Sequence, residues 1–114
     1  MSARFLVGDA EIWSPGSLTA ELFLGEVALL EQVVSRASGF GPLVSDEVRV
    51  DREQLAEFTS ECAALADRLR RAPAATAILE GTLATLFLIA EKAGIKELTS
   101  ESAILIRERA RAWM

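Results

Sequence analysis

Apolar and polar positions change their period several times along the chain, and each change marks an element. Near the start, Phe5-Leu6-Val7 and Ala10-Glu11-Ile12-Trp13 are short β-prone runs separated by Gly8-Asp9. This pattern predicts a β-hairpin over residues 4–13, closed by a two-residue type II′ turn with Gly first. The register then pairs Val7 with Ala10, Leu6 with Glu11, Phe5 with Ile12 and Arg4 with Trp13. Phe5, Val7, Ala10 and Ile12 share the face that packs on helices, and Arg4 lies over the Trp13 ring as a cation–π pair.

Ser14-Pro15-Gly16-Ser17 stops the hairpin and starts a helix, capped by Ser14 with Pro15 at its first position or by Ser17. The helical period runs over about 15–38. Leu18, Leu22, Gly25, Leu29 and Val33 form one stripe, and Phe23, Val27, Leu30 and Val34 form a second beside it. Together they predict a broad buried face, with Glu21, Glu31, Gln32 and Ser35 mostly outside. Gly39 is a natural stop. Gly39-Phe40-Gly41-Pro42-Leu43 reads as a loop, and Asp46-Glu47-Val48-Arg49-Val50 alternates as a short third strand.

Asp51-Arg52-Glu53-Gln54 is a capping box, opening a helix over about 52–71 with Leu55, Phe58, Cys62, Leu65 and Leu69 inward. Arg68, Arg70 and Arg71 suit its C-terminal end, and Pro73 breaks it. The next helix, about 75–93, is apolar almost all round. Such a helix is either core or membrane span. Thr76, Glu80, Gly81, Thr82 and Thr85 interrupt it and Glu91-Lys92 ends it, so the reading is a central core helix stopped by Gly94. A last helix, about 100–113, starts near Thr99 or Ser100 and turns Ala103, Ile106, Ala110 and Trp113 inward. Arg107, Arg109 and Arg111 fall mainly outside. The expected architecture is mainly α within an α+β class: a hairpin with a short third strand, packed on four helices in a single domain, 1–114.

Composition adds constraints. The 114 residues are 51% hydrophobic and 25% charged, with a net charge of −5, and the mean hydropathy is +0.28. Disorder is excluded, and so small a domain must expose some apolar surface, which a homodimer or a partner would cover. The negative charge disfavours nucleic acid and anionic membranes and favours a basic protein partner. Cys62 is the only cysteine, so no internal disulfide forms. With no signal-peptide pattern after Met1, a reducing cytoplasm is the expected location.

The chain has no histidine. That excludes Ser-His-Asp and Cys-His catalysis, and with one cysteine it argues against structural zinc. No phosphate-cradling glycine motif occurs. No cofactor and no enzymatic activity are therefore expected. Glu53, Glu57 and Glu61 repeat at four-residue spacing, with Asp46 and Glu47 upstream. They read as an acidic docking strip for a basic partner or as an ordinary solvated face. Trp13 and Phe40 are candidate interface anchors or simple packing residues. Glu80, inside the apolar helix, is the candidate for a small-molecule pocket or carboxylate chemistry, or else lies on an exposed strip or pairs with an arginine. Cys62 reads as a small core residue.

The order of these parts resembles a family of small actinobacterial proteins of unknown function. The likeness is carried by Ile12-Trp13-Ser14-Pro15, the Gly39–Leu43 loop, Asp46-Glu47 and Glu80-Gly81-Thr82-Leu83-Ala84-Thr85. It covers most of the chain and implies a bacterial cytoplasmic setting, without an activity or site residues. The expected function is a non-enzymatic protein-interaction module, acidic and immunity- or antitoxin-like. A small-molecule carrier, sensor or carboxylate enzyme near Glu80 is one alternative, and a structural homo-oligomer is another.

Overall fold

The computed structural model describes residues 2–96, 98 and 100–111. It is an α+β fold with strands β1 (Arg4–Val7), β2 (Ala10–Trp13) and β3 (Glu47–Arg49), and helices α1 (Ser17–Val34), α2 (Arg52–Leu69), α3 (Pro73–Lys92) and α4 (Glu101–Ala110). Two compact units divide the chain, Met1–Phe58 and Thr59–Met114, and the boundary falls within α2.

In the first unit the sheet runs in the order β2-β1-β3, with β1 in the centre. β1 pairs antiparallel with β2 and parallel with β3, so the third strand exists and makes the sheet mixed. Gly8 has φ +59, as the first central residue of a type II′ turn requires. Val7–Ala10 and Leu6–Glu11 pair as expected. The register then shifts, and Phe5 faces Trp13 instead of Ile12. A one-residue irregularity of this kind turns the following side chains to the other face. Ile12 is buried, whereas Ala10 is exposed and Val7 only half-buried, which corrects the expected four-residue face. The Arg4–Trp13 pair is replaced as well: Arg4 makes an ion pair with Glu47.

Asp46 belongs to a turn rather than to β3. Val44 and Glu47 exchange both backbone hydrogen bonds, each 3.0 Å, and the two residues between them, Ser45 and Asp46, have φ of +53° and +61°. Two positive values in a two-residue loop are the signature of a type I′ turn. The Gly39 loop is fixed by contact rather than by length. Gly39 has φ +89, and an added Cβ would sit 2.5 Å from the Asp51 carbonyl oxygen and 2.9 Å from the Leu55 nitrogen. Its own carbonyl accepts the Asp51 N–H at 2.8 Å.

α1 is shorter than its sequence suggests. Gly16, not a serine, is its N-cap, and Ser35 ends it in the left-handed conformation. The chain beyond is strapped back by Glu31, whose carboxylate accepts the backbone N–H of buried Ser38 at 2.8 Å. The inner face consists of Ala20, Phe23, Val27 and Leu30. At the start of α2, Asp51 Oδ1 accepts the Gln54 N–H at 3.0 Å, one half of the expected capping box.

In the second unit, Pro73 opens α3 at its first turn instead of lying ahead of it. The Thr76 hydroxyl donates to the Leu69 carbonyl at 2.7 Å, satisfying an end group of α2. From Leu83 to Ala90 every side chain of α3 is buried. Thr85 is accommodated there by donating its hydroxyl to the Gly81 carbonyl at 2.9 Å. α3 is long and apolar enough to cross a membrane by length and composition, but its residues 83–90 are buried and the helix packs against α4. Ser100 caps α4, accepting from the Ala103 N–H at 3.1 Å. The expected position of Trp113 lies outside the described residues.

Candidate functional site

The surface most unlike that of an isolated globular unit is the outer face of α1. Leu18, Leu22, Leu29 and Val33 are 69%, 62%, 45% and 48% exposed. These residues are the first of the two stripes that the sequence pattern assigns to the core, and the structure turns it outward. The cause is the aromatic content of the other stripe. Phe23 meets Trp13, Phe40 and Phe5 with ring centroids 5.3, 5.4 and 6.1 Å apart, all near edge-to-face. Phe5 adds contacts to Trp13 and Phe40 at 5.0 and 5.8 Å. Such edge-to-face contacts stabilise beyond area burial alone, so the ring cluster captures the Phe23 side of the helix and its opposite side faces solvent. The sequence carries one signal of this. All the aromatic weight of α1 lies in one stripe, and a glycine sits in the middle of the other.

Trp13 and Phe40, the candidate anchors, are thus half-buried members of this cluster. The acidic candidates separate. Glu53, Glu57 and Glu61 are all exposed on α2. Glu57 is bound by Arg36 at 2.6 Å. Glu47 is shared by Arg4 and Arg49. Asp46 is exposed in its turn, its carbonyl accepting the Arg4 N–H at 2.8 Å.

Glu80 lines an open groove of about 190 Å³ with Ala66, Leu69, Thr76, Leu105 and Arg109. Its carboxylate is held by the Arg109 guanidinium. The groove is smaller than the ~300–1,000 Å³ usual for ligand pockets. Arg107 of α4 and Arg111 just beyond it also face carboxylates. Arg111 binds Glu91 at 2.8 Å and Glu108 at 2.6 Å, and Arg107 lies 3.6 Å from Glu108. The hydrogen bond from Arg111 holds the Glu91 carboxyl below its ordinary range, opposed in part by burial.

Cys62 is fully buried, and burial with Glu61 alongside pushes its thiol up to about 12. A thiol of that kind is neutral and inert at physiological pH. Among the described residues, no three potential metal-ligating side chains come together. No curated protein and no solved structure matches the chain. A family model, described as a family of unknown function (DUF6086), matches residues 1–114, and the chain belongs to that family.

Proposed function

We propose that the protein is a non-enzymatic protein-interaction module that docks through the outer face of α1. The observation that carries this reading is the line of four large apolar side chains, Leu18, Leu22, Leu29 and Val33, left in solvent along one helix. Contiguous exposed apolar surface of this kind marks interaction sites, and a helix face read as i, i+4 and i+7 anchors is a standard docking element. The groups with chemical potential are meanwhile committed to structure: Glu80 to Arg109, and Cys62 to the core.

A second reading is favoured by the acids. The net charge is −5, and Glu53 and Glu61 are exposed. These acids suit a basic partner of the kind that immunity proteins and antitoxins hold. Ten arginines against two lysines fit a GC-rich actinobacterial source, and the single cysteine fits a reducing cytoplasmic setting.

A photo-crosslinking residue at Leu22, introduced in the native host, tests the first reading. Discrete adducts are expected from Leu22 and none from a control at exposed Glu101. The absence of any adduct from Leu22 would remove it. For the second, reversing Glu53, Glu57 and Glu61 to lysine should abolish capture of a basic partner at low salt.

A further inference from the structure

The exposed stripe of α1 is symmetric about its own centre. Leu18 and Val33 lie equally far from the point between Gly25 and Glu26, and so do Leu22 and Leu29. We infer that the outer face of α1 is closed by a second copy of this chain, the two α1 helices running antiparallel about a two-fold axis between Gly25 and Glu26. This rests on the reading of α1 as a docking surface and names its occupant.

In that arrangement Leu18 packs on Val33 of the second copy and Leu22 on its Leu29, each contact made twice. An isologous interface requires this self-complementarity, and a surface shaped for an unrelated partner does not. Gly25 sits at the axis, where a Cβ on either chain would hold the helices apart. It is exposed, and its missing Cβ would meet nothing within 4 Å in its own chain. Its absence therefore serves no internal packing and leaves room for close backbone approach.

The seam positions carry no charge, and the flanks are complementary in part. Helical geometry at 1.5 Å per residue places Glu21 about 3 Å along the axis from Gln32 of the second copy, on the same flank and within side-chain reach. The carboxylate then accepts from the amide N–H, twice per dimer. On the other flank the two Glu26 side chains approach each other across the axis. That like-charge contact tunes the dimer and makes it weaker at low salt. A single pair of 18-residue helices is smaller than the ~800 Å² per partner of a standard interface, so the association depends on concentration in the micromolar range.

Purified protein carrying single cysteines tests this, since native Cys62 is buried. Under mild oxidation an equal mixture of Leu22→Cys and Leu29→Cys should form a mixed disulfide dimer. Leu18→Cys alone should not crosslink, because its two copies lie ~22 Å apart along the helices. An equal mixture of Leu18→Cys and Val33→Cys should give the mixed dimer. Glu26→Gln should tighten self-association several-fold in sedimentation equilibrium. Self-crosslinking of Leu18→Cys would mean a parallel pair and overturn the inference. So would the absence of mixed dimer from both mixtures at concentrations well above micromolar. If that failure came with a Leu22 adduct whose mass differs from two chains, the second copy would be ruled out and the docking reading would survive.

Discussion

α1 and α3 are both long apolar helices, yet they divide their apolar surface in different directions. α1 splits across its width: Ala20, Phe23, Val27 and Leu30 are buried along its whole length, and Leu18, Leu22, Leu29 and Val33 are exposed along it. α3 splits along its axis. Its residues 83–90 are all buried, whereas Ala74, Ala77, Ile78 and Gly81 near its start are exposed. A helix divided across its width keeps a straight apolar edge, which another helix can follow. A helix divided along its axis leaves only an exposed end. Equal hydrophobicity thus produces an exposed apolar edge in one case and a core post in the other.

The largest effect that separates them is expected at fully buried Leu86 in α3. Leu86→Ala should cost about 2–5 kcal/mol, transfer plus cavity, seen in denaturant unfolding; a loss under 1 kcal/mol would break the comparison. Next come the helix ends. At the end of α1, Glu31→Ala leaves the buried Ser38 N–H without its acceptor, at a cost of about 1–3 kcal/mol. At the end of α3, Glu91 is a surface group paired with Arg111, and surface pairs contribute little. Leu22→Ala and Leu29→Ala, tested in dilute monomer, should leave stability within about 0.5 kcal/mol. They would nevertheless lower self-association at high concentration. The smallest effect is pH-dependent. Because the Glu91 carboxyl is lowered in the folded chain, its contribution is present above the ordinary carboxylate range and is lost as pH falls through the lowered value. Glu91→Gln should therefore lower thermal stability slightly at neutral pH, leave strongly acidic pH unchanged, and so flatten the profile.

Much of the fold was legible where a local signal decides it. Gly8-Asp9 fixed the first turn, Asp51 and Ser100 marked two helix starts, and the inward set Leu55, Phe58, Cys62, Leu65 and Leu69 of α2 is buried throughout. The misreadings fall where distant residues decide. The choice between the two stripes of α1 depends on Phe5, Trp13 and Phe40, which meet Phe23 only once the chain is folded. The shift at Phe5/Leu6 depends on β1 being flanked on both sides. The Ser45-Asp46 turn lacks the glycine that usually announces a type I′ loop, so its positive φ values follow from pairing of Val44 with Glu47. The surface proposed here was visible as a pattern, but its direction was not.

The modest sheet has a consequence for how this apolar chain avoids uncontrolled aggregation. Both of its edges are short: β2 spans four residues next to a register shift, and β3 spans three, two of them charged. Neither edge offers a ladder long enough to template a strand from another molecule. Open-ended polymerisation through the backbone is thereby blocked. Encounters between molecules are left to side-chain surfaces, and a symmetric helical one saturates after a single partner.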